Sequence, residues 1–197
     1  VKKLETDFYL RPDVVQVAKD LLGKILVTNF GNNLTAVMIT ETEAYAGATD
    51  RASHAYGNKY TARTAPMFKN GGIAYVYLCY GIHHLFNVVT NTEGIPHAVL
   101  IRAGQPLEGL ELMLKRRNKL SLTPQLTNGP GSLSAALGIT TKANASNLRN
   151  NSIWIAEHLN IKTTDITASP RVGIDYAGAD AKLPYRFRIK NNLFIGK

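Results

Sequence analysis

The hydrophobic pattern opens on a helix. Val14, Ala18, Leu21 and Leu22 recur at helical spacing, Pro12 is placed to stand at the first position, and Gly23 follows where a left-handed cap falls. The period then changes. KILVTN reads as a strand, FGNN as a turn and LTAVMITETEAY as a longer strand, and the pair predicts a hairpin. Counted straight through, alternation puts Val37, Ile39, Glu41, Glu43 and Tyr45 on one side of the second strand, with Ala36, Met38, Thr40, Thr42 and Ala44 on the other. Carboxylates that continue an apolar face suit a strand end, where a sheet opens into a pocket.

Residues 46–72 form a long connection rich in Gly, Ala and Thr, carrying Asp50, His54, Lys59, Arg63 and Lys69. Few of its residues suit a core, and an irregular segment of this length inside a domain is more often functional than idle. IAYVYLCYG is strongly β-forming, IHH reads as a short connection, and LFNVVT and HAVLIRA are further strands around the turn NTEGIP. LEGLELMLKRR predicts a short helix despite Gly109, and TNGPGSLSAALG a Gly/Pro-rich approach to another, whose first amides could hold a phosphate. SIWIAE, TTDITASP and YRFRIK read as short strands. No repeat or linker divides the chain, so one mixed α/β (α+β) domain over residues 1–197 is expected. The absence of βαβ repetition argues against a doubly wound sheet.

Composition narrows the class. No apolar run reaches the ~18 residues of a membrane span, and VKKLETDFYLRP has no apolar signal core. The single cysteine, Cys79, makes a reducing, cytoplasmic setting the expectation. With 23 Lys+Arg against 14 Asp+Glu, the net charge of +9 favours a polyanionic partner.

Several residues then stand out, each with a plainer reading beside it. Glu43, sharing a strand end with Tyr45, can activate water or be an ordinary surface acid. Glu41 can be a structural partner for an arginine. Tyr75, Tyr77 and Cys79 face one way on their strand; Tyr77 can stack under a base and Tyr80, at the turn, can wedge into a duplex, or both can be sheet and turn aromatics. Arg102, after the apolar VLI, is either a buried partner of a carboxylate or an edge charge. The five scattered histidines, among them the adjacent His83 and His84, lack metal-site spacing, and no dinucleotide or phosphate-loop motif is present, so no metal or cofactor is expected.

Taken together, ETEAY, the ASH after it, TARTAPMF, YVYLCYG, the asparagine of FNVV, VLIRA, LEG, NGPGSLSAALGI and SPRVGI resemble the alkyladenine (3-methyladenine) DNA glycosylase family over nearly the whole chain. The resemblance implies one domain around a curved antiparallel sheet with peripheral helices, acting on double-stranded DNA that contains damaged purines; one active site meeting one lesion requires no symmetry, so a monomer is expected. It implies Glu43 as the general base for a catalytic water, Arg102 and the Val172 carbonyl as holders of that water, and Tyr45 stacked on one face of a flipped base with His54 and Tyr77 on the other. Tyr80 matches the wedge, and Asn87 the pocket asparagine that disfavours the exocyclic amino group of guanine. His83 and His84 stand where more apolar or aromatic residues are expected. The compact length fits a bacterial type, with a non-catalytic damaged-DNA-binding module as the alternative.

Overall fold

The computed structural model describes residues 2–196. After a single turn, α1 (Thr6–Tyr9), comes α2 (Val14–Asp20), whose start is set by Asp13: its carboxylate accepts the Gln16 amide at 2.9 Å. Pro12 therefore stands outside the helix, ahead of the cap, and not at its first position. Eight strands follow: β1 (Ile25–Phe30), β2 (Asn33–Tyr45), β3 (Ala74–Cys79), β4 (His83–Thr90), β5 (His97–Glu108), β6 (Ile153–Ala156), β7 (Ile166–Ser169) and β8 (Arg186–Ile189). Between β5 and β6 lie α3 (Leu110–Arg117) and α4 (Pro130–Leu137). Gly109 stands at the cap of α3 with φ of 74°, not inside the helix.

All the strand pairings are antiparallel. The sheet runs β3-β4-β5-β2-β1-β6, and β8 joins β2 with β7 outside it. Strand β2 is long enough to pair with β1 through residues 33–38 and with β8 through Glu41–Glu43, while β5 lines its other edge. The β1–β2 turn has left-handed Gly31 and Asn32, the geometry that a tight hairpin requires. The β3–β4 turn likewise has positive φ at Tyr80 and Gly81, with Ile82 donating to the Cys79 carbonyl at 3.1 Å. His83 and His84 consequently belong to β4 and are not a connection.

The register of β2 against β5 corrects the alternation. Ile39 pairs with Gly104 and Glu41 with Ala103, which leaves Thr40 as an extra residue; Thr42 then pairs with Ile101, which leaves Arg102 extra on the facing strand. Each bulge exchanges the faces of the residues beyond it. Val37 and Ile39 lie in the main core, and so does Ala44, while the Thr42 hydroxyl donates to the Ala18 carbonyl of α2 at 2.8 Å. Glu41, Glu43 and Tyr45 therefore do not continue the face of Val37 and Ile39; the bulge at Thr40 carries them to the opposite side.

That opposite side has its own small core. Ala55 and Met67, from the long connection 46–72, pack on Tyr75, Val89 and Ala98. The connection thus contributes buried apolar residues that its composition concealed. The main core, from Leu21 and Leu26 through Phe86, Ile101 and Leu133 to Phe187, lies under α2 and α4.

Candidate active site

Register alone assembles the floor of a site. Across the sheet, Tyr75 pairs with Asn87, Asn87 with Leu100 and Leu100 with Glu43, so residues from four strands form one row on the face away from the main core. Ala98 pairs with Tyr45 in the next row. Above this floor opens a cavity of about 740 Å³, within the ~300–1,000 Å³ typical of small-molecule sites. Glu43, Tyr45, His54, Tyr77, Tyr80, Asn87, Arg102 and Val172 all line it. The structure thus brings together all eight residues that the resemblance places in the site, while Glu41 and His84 do not line the cavity.

Glu43 is fully buried and both its oxygens are engaged. Oε2 accepts the Tyr45 hydroxyl at 2.8 Å, Oε1 accepts the Val172 amide at 2.9 Å, and Arg102 Nη1 lies 3.3 Å from Oε1. It is the N–H of Val172, not its carbonyl, that meets the carboxylate. Burial, reinforced by the Glu43 charge, raises the Tyr45 phenol well above its ordinary range and keeps it a neutral donor. Burial disfavours the Arg102 charge, but Glu43 and Glu41 outweigh it and hold the guanidinium ionised. Arg102 Nε donates to Glu41 Oε1 at 2.7 Å, the structural pairing open to Glu41 in the sequence.

The aromatic walls are fixed from behind. His54 Nδ1 lies 2.9 Å from the Tyr75 hydroxyl and Nε2 3.4 Å from Arg63 Nη2. A guanidinium can only donate, so Nε2 accepts and the proton sits on Nδ1. The His54 ring meets Tyr77 edge-on with centroids 4.7 Å apart. Burial, aided by Arg63, lowers the His54 pKa to about 4, so the imidazole is neutral at neutral pH. Asn87 is buried, and its amide donates to the Tyr75 carbonyl at 3.1 Å. Tyr80 projects from the hairpin tip, 89% exposed.

The sequence did not single out Arg171 or pair it with Asp50. Both are buried, joined by two hydrogen bonds, and Arg171 Nη1 also donates to the Ala44 carbonyl at 2.8 Å. The guanidinium carbon lies 4.7 Å from the Tyr45 ring centroid. One ion pair therefore backs the Tyr45 ring and anchors the chain beside Val172. The only signal in the chain was an arginine next to Val172 in SPRVGI; its partner is 121 residues away.

A family model described as methylpurine-DNA glycosylase matches residues 7–193. A protein of Chlamydia abortus named as a 3-methyladenine DNA glycosylase is 47% identical over 191 residues, covering 95% of this chain and 100% of the relative. Similarly named proteins of Natranaerobius thermophilus and Methanocella arvoryzae are each 44% identical over 195 residues, covering 98% of this chain and 98% and 96% of their own.

Proposed function

The chain belongs to the methylpurine-DNA glycosylase family, and from that membership we propose that it turns damaged purines out of duplex DNA and hydrolyses their N-glycosidic bond. The substrates we propose are 3-methyladenine, 7-methylguanine, hypoxanthine and ethenoadenine. The observation that carries this reading is a buried carboxylate, Glu43, with an arginine beside it at the floor of a cavity walled by Tyr45, His54 and Tyr77. A free nucleoside would need neither the exposed Tyr80 nor the charge of +9.

In this mechanism Tyr80 enters the stack and the damaged nucleotide swings into the cavity, at a lower cost than for an intact pair. The purine lies with Tyr45 on one face and His54 and Tyr77 on the other. Alkylation at N3 or N7 makes the ring cationic, which strengthens its attraction to the tyrosines and makes it a better leaving group. Glu43 takes a proton from a water molecule held with Arg102 and the Val172 main chain. The water oxygen bonds to C1′ as the C1′–N bond breaks, and the purine leaves with the bonding pair. Asn87, its amide held by a backbone carbonyl, cannot swing aside for the exocyclic amino group of guanine. Among the described residues lining the cavity none is a lysine, which favours a monofunctional enzyme that leaves an abasic site. All eight proposed residues come from one chain, so a monomer suffices.

Release of free base from methylated duplex tests the reading. Glu43→Gln should bind the lesion duplex almost as wild type does while excision falls by ~10²–10⁴-fold, the range for loss of a general base. Equal excision by the variant removes Glu43 from the mechanism. Tight binding without release, by wild type as well, leaves a lesion-binding module instead.

A further inference from the structure

Glu41 is fully buried beneath the proposed site, and the mechanism gives it no task. Its Oε1 accepts two guanidinium donors, Arg102 Nε and Arg186 Nε, each at 2.7 Å, and its Oε2 accepts the Gly196 amide. Arg186 Nη2 donates in turn to the Gly196 carbonyl at 3.0 Å, and the Thr40 hydroxyl donates to the Phe194 carbonyl. The two residues at the β2 bulge, Thr40 and Glu41, thus both fasten the segment 194–196.

The geometry at Arg102 is unusual for an arginine beside two carboxylates. A guanidinium prefers a fork of two parallel bonds to one carboxylate. Here the fork to Glu43 is not made: Nε is drawn to Glu41, and only Nη1 reaches Glu43, at 3.3 Å. Released from Glu41, the flexible Arg102 side chain would be free to rotate into that fork and occupy the lone pairs that Glu43 needs for a water proton.

We propose that Glu41 is a positioning residue that holds the Arg102 guanidinium off Glu43 and at the angle the reaction uses, with Arg186 and residues 194–196 fixing Glu41 from behind. This rests on the roles assigned above to Glu43 and Arg102. A purely structural Glu41 would affect folding and leave the chemistry of the folded enzyme unchanged.

The test is a double-mutant cycle on single-turnover base release, read beside the affinity for lesion duplex and the thermal midpoint. Glu41→Gln and Glu41→Asp should each slow release by ~10–100-fold, the scale of an ångström-sized misplacement. Their lesion affinity should stay within about twofold of wild type, and in an Arg102→Lys background Glu41→Gln should add less than about twofold, the limit for sites that act independently being full multiplication. Full multiplication in that background, or an unchanged rate in a folded variant, overturns the proposal. If Glu41→Gln does not fold, Glu41→Asp decides, because it retains the charge that Arg102 and Arg186 require and withdraws only its reach. Arg102→Lys or Glu43→Gln at the wild-type rate would instead break the underlying mechanism, a different result from the failure of Glu41 alone.

Discussion

The imidazole of His54 has lost its ordinary titration. Its pKa lies at about 4 against the usual 6.5, because burial and the nearby Arg63 oppose the charged form, and His97 is lowered in the same direction, chiefly by burial. Between those two values the unfolded chain binds a proton that folded His54 refuses. Stability should therefore fall as pH drops from about 6.5 toward 4, with no contribution from His54 above that window. Thermal midpoints across the window check this: the fall should be shallower in His54→Gln than in wild type, and equal slopes would disprove it. A neutral ring also suits a wall for cationic bases, since an imidazolium there would repel them. At this scale much of the site was legible, because Glu43, Tyr45, Tyr77 and Arg102 lie in short motifs. The pairing of Arg171 with Asp50 was not legible, since an ion pair between two loops leaves no periodic trace in a chain.

Strand β2 shows how much an element depends on its partner. Its alternation, read alone, placed Glu43 on the face of Ile39, and only the register with β5 reveals the extra residue at Thr40. A bulge is a property of two strands, so one strand's pattern cannot contain it. The hairpins, by contrast, are legible in their glycines and asparagines, although the pattern leaves His83 and His84 out of β4 because Tyr80, an unusual residue for positive φ, takes the first turn position. The pairing at the bulge is crowded. A Cβ on Gly104 would lie 2.6 Å from Val37 Cγ2 and 3.1 Å from the Met38 carbonyl. Gly104→Ala should therefore destabilise the protein by about 1–3 kcal/mol, the usual cost of overpacking. A thermal or urea melt checks this, and an unchanged midpoint would show that the sheet yields there.

For the whole molecule, the surplus of positive charge has a local expression. Beside the main cavity a smaller cleft is lined by Arg51, Lys59 and Arg63 with Tyr56 and Tyr176, and among the described residues none that line it is acidic. If phosphates of the flanking strand lie there, as the proposed function requires of some basic surface, Lys59→Ala should weaken binding to damaged and undamaged duplex alike. It should also reduce the slope of log K against log salt by ~1. Affinities measured over a salt series decide this, and an unaltered slope removes Lys59 from the footprint. The hairpin of β3 and β4 fixes a second molecular dimension. Tyr77 at the cavity and Tyr80 at the tip are three residues apart on one chain, joined through a strand whose rise is ~3.3 Å per residue. Residues 77–79 are all paired with β4, so the hairpin itself sets the interval between cavity and tip. In the proposed reaction, that interval is what a turned-out nucleotide has to span when the tip is seated, so the element that enters the duplex is also the ruler for what leaves it.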